Sequence, residues 1–362
     1  MRVLIAAGGT GGHIYPGIAV AKEILRRDPN SVVRFVGTAR GLETRVVPKA
    51  GFELSLIEST GLKNVGWRAR LRGLILLPKS FLAARRLIRE FQPDVVVGAG
   101  GYVSGPVLLT ASLMGRPTLV MDSNALPGWT NRVLARFIDK AAVSFAEAMP
   151  YFPGKAVLTG NPVRSEFFEV APKTHDSQQM SLLVFGGSQG ARAINEAMVA
   201  ALPHLDSERD RLRVTHQTGA AEVEKVQRGY TGAGWGANAE VKSYIDDMVN
   251  EFAKADLIIS RAGATTTAEL PASGKAAIMI PFPLAADDHQ RKNAEALQTA
   301  GAARMILQRD LSGERLASEI RDLLASPERI SDMETAARKM ARRDAAEKTV
   351  DLMEEVVLNR SR

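Results

Sequence analysis

Val3-Leu4-Ile5-Ala6-Ala7-Gly8-Gly9-Thr10-Gly11-Gly12-His13 is the stretch that decides the fold. Five apolar residues predict a short buried strand, the glycines a tight turn, and the periodic run over 18–27 a helix. Strand, glycine loop, helix is the opening unit of a parallel α/β sheet. The same grammar restarts at Met180-Ser181-Leu182-Leu183-Val184-Phe185-Gly186-Gly187-Ser188-Gln189-Gly190, with a helical run over 191–202. Two starts in 362 residues, at roughly 100–200 residues per domain, predict two Rossmann-like domains.

Working outward, strands are expected at 32–36, 94–97, 118–121 and 142–145, then at 212–216, 241–244, 257–260 and 277–281. Helical runs fall between them, notably 74–89. Gly160-Asn161-Pro162-Val163-Arg164 breaks the pattern and sets the boundary. The first domain is expected over 1–160 and the second over 161–343, with a last helix within 344–362 packing back on the first. Residues 218–235 are weak in pattern, and 175–179 read as a surface loop.

Composition narrows the function. Hydrophobic residues at 45% and charged residues at 24% are ordinary for a folded protein. With no cysteine, disulfides, thiolate metal sites and a cysteine nucleophile are excluded. No apolar run approaches the roughly 20 residues of a spanning helix. Residues 1–9 begin like a secretory signal but run straight into the glycine loop, so they read as a strand. The net charge is +7, yet 1–160 carries 21 Lys/Arg against 10 Asp/Glu. Within 63–90, Lys63, Arg68, Arg70, Arg72, Lys79, Arg85, Arg86 and Arg89 stand against Glu90 alone. Trp67, Leu74, Ile75, Leu77 and Phe81 interleave with them around Pro78. A solvated basic helix face explains the charge; contact with an anionic bilayer explains the charge and the apolar residues together. Nucleic acid ranks third, since no nucleic-acid motif accompanies the charge.

Three loops carry candidate chemistry. Gly8–His13 opens a helix, where glycines admit a ligand to backbone N–H groups and the helix end favours negative charge. The G-x-G-x-x-G spacing and the Walker A lysine are both absent, so a dinucleotide fingerprint and a P-loop are excluded. His13 is either a structural imidazole or a general base. Ser188, in the second loop, can donate to a phosphate. In Arg261-Ala262-Gly263-Ala264-Thr265-Thr266-Thr267-Ala268-Glu269, N–H groups of 264–267 can hold a diphosphate and Glu269 can bind ribose hydroxyls. A capping threonine before a helical glutamate is the plainer explanation. Asp287-Asp288-His289-Gln290 and Asn293 start a further helix, either as sugar readers or as a cap. The five histidines show no metal-ligand spacing, and no Asp-x-Asp is present.

These motifs occur in a definite order: Gly8–His13, Gly98-Ala99-Gly100-Gly101-Tyr102-Val103-Ser104-Gly105-Pro106, Thr159 to Arg164, Gly186 to Ala191, Arg261 to Glu269, and Asp287 to Asn293. As a set they resemble the MurG family of peptidoglycan N-acetylglucosaminyltransferases, which convert lipid I to lipid II. The resemblance covers nearly the whole chain. It implies an α/β GT-B glycosyltransferase fold, two Rossmann-like domains facing across a cleft, with UDP-GlcNAc held mainly by the second.

Residue by residue, the resemblance implies that Thr10, Gly11 and Gly12 form the facing glycine loop, that Tyr102 is among the substrate-binding residues and that Asn124 contacts the donor sugar. Arg164, Ser188, Ile245 and Ala264, Thr265, Thr266, Thr267 and Ala268 would hold UDP, with the Ile245 backbone reading uracil. Glu269 would bind ribose and Gln290 the sugar hydroxyls. His13 is the candidate base and Asp122 the alternative. Met121-Asp122-Ser123-Asn124 departs from the family's His-Glu-Gln-Asn, keeping the Asn and an acid. The expected partners are UDP-GlcNAc, undecaprenyl-diphosphate-linked MurNAc-peptide (lipid I), the anionic cytoplasmic leaflet, and other cell-wall and division proteins. No cofactor or obligatory metal and no nucleic acid are expected. The location implied is peripheral, on the cytoplasmic face of a bacterial membrane. A GT-B transferase with another lipid or soluble acceptor, and a UDP-GlcNAc epimerase or binding protein, are the rival readings.

Overall fold

A computed structural model describes the chain except residues 40, 60–66, 176–178, 286–287 and 361–362; over 67–76 it describes the backbone alone. It divides into two compact units: Met1–Arg164 with Arg342–Arg362, and Ser165–Ala341. The division falls four residues after the boundary expected at 160.

Among the described residues of the first unit, seven parallel strands form one sheet. They are β1 (Arg2–Ala7), β2 (Val32–Gly37), β3 (Glu53–Leu56), β4 (Val95–Gly100), β5 (Thr118–Asp122), β6 (Lys140–Val143) and β7 (Ala156–Leu158), in spatial order β3-β2-β1-β4-β5-β6-β7. Helices α1 (Gly11–Arg27), α2 (Glu43–Lys49), α3 (Trp67–Phe91), α4 (Ser104–Leu113) and α5 (Trp129–Leu134) connect them, and α13 (Ala345–Arg360) closes the unit. Side chains alternate across a strand, so β1 divides its residues between two cores. Val3 and Ile5 meet Ile14, Ile18, Val350 and Met353 of α1 and α13. Leu4 and Ala6 meet Ile88 and Phe91 of α3 and Val107 and Leu108 of α4. Both faces are covered, which is why the central strands read as unbroken apolar runs. The burial of Val350, Leu352 and Met353 holds α13. Its ion pairs, such as Arg27–Asp351 at 2.7 Å, are surface pairs worth about 0–1 kcal/mol each.

The second unit repeats the plan with β8 (Met180–Phe185), β9 (Leu212–Gln217), β10 (Ala239–Lys242), β11 (Leu257–Ser260), β12 (Ala277–Met279) and β13 (Ala303–Met305). Their order is β10-β9-β8-β11-β12-β13, all parallel. The helices are α6 (Arg192–Ala201), α7 (Val223–Gly232), α8 (Met248–Lys254), α9 (Ala264–Ser273), α10 (His289–Thr299), α11 (Gly313–Leu324) and α12 (Pro327–Met340). Leu182 and Val184 pack with Ile194, Met198, Leu316 and Ile320 on one face. On the other, Phe185 and Phe167 stack about Phe252, the latter edge-on at 5.0 Å.

Strand order reverses between β1 and β4 in one sheet and between β8 and β11 in the other. Ligands of open α/β sheets bind beyond the carboxyl ends of strands at such a reversal. The loops that follow β1, β4 and β8 there are glycine-rich, and the one after β11 ends on Gly263.

Several expectations shift. Helix α3 starts at Trp67, ahead of the run expected over 74–89, and continues through Pro78. Strands β6 and β10 start two residues before their expected positions. The patternless 218–235 holds α7 and the fully buried Tyr230 and Trp235. The short β3, β7 and β13, together with α2 and α4, were not anticipated from pattern. His175, expected in a surface loop, has its side chain 1% exposed, between Asp256 at 2.8 Å and Glu334 at 3.1 Å. These carboxylates raise its pKa to about 9.

Candidate active site

Helix α1 begins on Thr10 in extended conformation, with no acidic residue in its first turn. The helix itself therefore supplies no counter-charge to its positive end. The loop before it is clamped by a residue the sequence reading did not single out. The buried Glu43 carboxylate accepts from Gly9 N at 2.9 Å and from Thr38 N and Oγ at 2.8 and 2.9 Å. The loop after β4 presses on the same spot. Gly8 N donates to Gly100 O at 3.3 Å, and Ser104 Oγ donates to Ala6 O at 2.8 Å. A Cβ at Gly100, where φ is +119°, would run into the His13 ring. Glycine at 100 is thus the condition for His13 to stand where it does. Tyr102, two residues on, is 60% exposed.

Asp122 ends β5 and is buried, which raises its pKa. Its oxygens accept from Asn124 N at 3.0 Å, Gly128 N at 3.2 Å and Asn131 Nδ2 at 2.8 Å. That geometry corrects its expected role as alternative base: it shapes the 124–131 loop and presents Asn124, which is half-buried. Arg164 lies with its guanidinium 4.5 Å from the Tyr15 ring of α1.

In the second unit, Ser188 is exposed at the tip of the loop between β8 and α6. Helices α6 and α9 also start without an acidic residue in the first turn. On α9, Gly263 is the extended cap, and Thr267 N already donates to Gly263 O at 2.9 Å. The Thr267 hydroxyl bonds back to Gly263 and Ala264 carbonyls, both at 3.1 Å. Thr267 therefore drops out of the expected diphosphate cradle, because the first intrahelical bond begins there. The earlier N–H groups, through Thr266, remain outside the helical ladder. The Thr265 hydroxyl is buried with no hydrogen-bond partner among the described residues. Glu269, four residues on, shares its helix face and is buried. Ala268 is half-buried one residue earlier.

Arg261, before this helix, points elsewhere. It donates to Ile280 and Pro281 carbonyls at 3.1 Å and to Gln308 Oε1 at 2.7 Å. Burial lowers its pKa to about 10. It ties the ends of β11 and β12. Gln290, on α10, accepts from Phe282 N at 3.0 Å through its carbonyl, which turns its NH₂ to other partners. Asn293 is buried and donates to Ala262 O at 3.2 Å. Asp287 lies outside the described residues.

The 216–219 segment was also passed over. Gln217 donates to Gly187 O at 2.8 Å and accepts from Ile245 N at 2.7 Å. His216 is buried, its pKa pushed down to about 3, so the ring is neutral. Asn195 Nδ2 donates to Thr218 O, which turns Asn195 Oδ1 toward His216 Nε2 at 3.1 Å. Nε2 therefore carries the proton, and Nδ1 accepts from Tyr230 OH at 3.1 Å.

Residues 3–143 match the Glycosyltransferase family 28 N-terminal domain, and 181–349 the Glycosyltransferase family 28 C-terminal domain. The chain belongs to glycosyltransferase family 28. It is 50% identical over 364 residues to the UDP-N-acetylglucosamine–N-acetylmuramyl-(pentapeptide) pyrophosphoryl-undecaprenol N-acetylglucosamine transferase of Anaeromyxobacter dehalogenans strain 2CP-C, covering 99% of this chain and 94% of that one. The Myxococcus xanthus protein of the same name is 48% identical, with 97% and 92% covered. The crystal structure of Acinetobacter baumannii MurG matches with a TM-score of 0.75 at 32% identity, covering 98% of this chain and 99% of that one. As a family 28 chain, this protein is a glycosyltransferase with the GT-B fold. Among its described residues, no helix is long and apolar enough to cross a membrane.

Proposed function

We propose that this transferase moves N-acetylglucosamine from UDP-GlcNAc to the C4 hydroxyl of the muramyl sugar in lipid I, with inversion, giving lipid II. What carries the reading is identity near one half, over almost the whole chain, with transferases whose name states that reaction. In the reaction the acceptor oxygen attacks C1 of the sugar, the C1–O bond to UDP breaks, and UDP leaves with the bonding pair. His13 takes the hydroxyl proton. The N-termini of α6 and α9 meet the diphosphate, Ser188 and Thr265 add hydroxyl donors, and Glu269 accepts from ribose. The backbone at Ile245 faces the base, and Asn124, Arg164 and Gln290 hold the donor sugar and its diphosphate. Thr10, Gly11, Gly12 and Tyr102 meet the acceptor. With N–H groups and hydroxyls on the leaving group, no metal is required; full activity in excess chelator is the expected result.

The acceptor is a lipid, and α3 supports a peripheral place at the cytoplasmic face of the membrane. Lys79, Arg85, Arg86 and Arg89 are exposed on it, beside half-buried Leu77 and Phe81. Each such cation contributes about 1 kcal/mol at an anionic surface. Trp67, Arg72, Leu74 and Ile75 belong to the same expected surface, but their side chains lie outside the described residues. Exchanging Leu74, Ile75 and Phe81 for Ser is expected to reduce sedimentation with phosphatidylglycerol vesicles; unchanged sedimentation removes the membrane assignment. The reaction itself is tested by incubating UDP-GlcNAc with a lipid I analogue and following disaccharide lipid and UDP. Sugar epimerisation without acceptor, or transfer to a diacylglycerol alone, overturns the assignment.

A further inference from the structure

Strand β9 lies between β8 and β10, so its carboxyl end is flanked by the Gly186–Gly190 loop on one side and the segment holding Ile245 on the other. Neighbouring strands are about 4.8 Å apart, which separates those two segments by roughly twice that distance. Gln217 is the last residue of β9 and is 1% exposed. Its carboxamide reaches both, donating to Gly187 O and accepting from Ile245 N. One partner can only accept and the other can only donate, so one orientation of the amide satisfies both.

The adjoining backbone makes this bridge stiff. A Cβ at Gly190 would run into Thr218 O, and one at Gly219 into Gln189 O. Both glycines have positive φ, +75° and +83°. The two loops thus touch main chain to main chain. Beneath them, the buried His216–Asn195–Tyr230 network fixes the Thr218 carbonyl.

We propose that Gln217 is a positioning residue for nucleotide binding: it sets the spacing between the loop that meets the diphosphate and the backbone that meets the base. The inference rests on the UDP-GlcNAc reading above. Base and diphosphate are joined by one ribose, so their subsites must keep one separation. A segment displaced by an ångström loses the gain of holding both ends at once. Gln217 itself touches neither the acceptor nor the reacting carbon, so its loss weakens binding and spares turnover at saturation.

The test uses the full chain with UDP in calorimetry, UDP-GlcNAc in steady-state kinetics, and thermal melting. Gln217→Ala is expected to raise the UDP Kd and the UDP-GlcNAc KM about tenfold or more, with kcat kept within about threefold. Gln217→Glu supplies the conservative variant. Its neutral carboxylic acid has one donor and one acceptor and restores both bonds; its carboxylate cannot donate to Gly187 O. UDP affinity of Gln217→Glu is therefore expected to recover at acid pH and fall as pH rises, relative to the parent protein. The proposal is overturned if Gln217→Ala binds UDP as the parent does. It is equally overturned if affinity and melting temperature collapse together and Gln217→Glu shows no recovery in acid. If the parent protein itself binds no UDP, the nucleotide reading fails, an outcome distinct from both.

Discussion

In the first unit the loop after β1 hangs on a buried carboxylate, Glu43; in the second the loop after β8 hangs on a neutral carboxamide, Gln217. Strand, glycines and helix are otherwise alike, and each loop sits where its strand order reverses. The difference separates their chemistry. A carboxylate spends Gly9 N–H and places a negative charge under the loop. Unit like charges about 6 Å apart repel by roughly 3 kcal/mol at an effective dielectric near 20. A carboxamide costs an incoming diphosphate nothing of that kind. This charge difference accords with the proposal that the second loop meets the nucleotide diphosphate, while the first has His13 seated on Gly100.

The sharpest way to break this contrast is His13→Ala. Turnover is expected to fall about 10²–10⁴-fold, with the calorimetric UDP affinity unchanged. Near-parental turnover would remove His13 as the base. Glu269→Ala is the mirror case: UDP affinity is expected to drop about tenfold or more, and equal affinity by calorimetry refutes the ribose contact. Glu43→Gln probes the clamp itself. Glu43 faces only donors, so an amide there turns NH₂ toward an N–H or a hydroxyl. A loss of about 1–3 kcal/mol in denaturant unfolding is expected, with UDP binding retained. Unaltered stability would show that the carboxylate is not what holds the loop.

The smallest expected effect concerns pH. The second unit brings Lys173 together with the buried side chains of His175, Asp256 and Glu334, with Lys173 Nζ 2.7 Å from Asp256. Burial pushes the Asp256 carboxyl up, but His175, Lys173 and the Ser181 N–H outweigh it and hold the pKa below the usual value. His175 is raised from 6.5 to about 9. A raised histidine stabilises the fold fully below its unfolded pKa and stops doing so as pH climbs through the folded one. Melting temperature is expected to decline between about pH 7 and 10. A parallel decline in His175→Gln would assign the slope to other groups.

Much of this protein was legible along the chain, for a local reason. Apolar period, glycine placement and the residues that open α1, α6 and α9 are neighbours in sequence, so the strand–loop–helix units can be read directly. Errors clustered where local pattern is weak or competes with packing. The polar 175–179 looked solvated because its acidic partner is 81 residues away. Thr267 looked like a ligand donor because sequence does not show on which residue the helical ladder starts. Asp122 looked like a base until Asn131, nine residues on, closed over it. Glu43 reaches Gly9 across 34 residues, and Gln217 reaches Gly187 and Ile245 across 30 and 28. Sequence by itself determined two parallel α/β units and the family's order of motifs. Only the tertiary structure decided which polar side chains are spent holding loops and which remain for a ligand, because strand order brings together residues that no local periodicity connects.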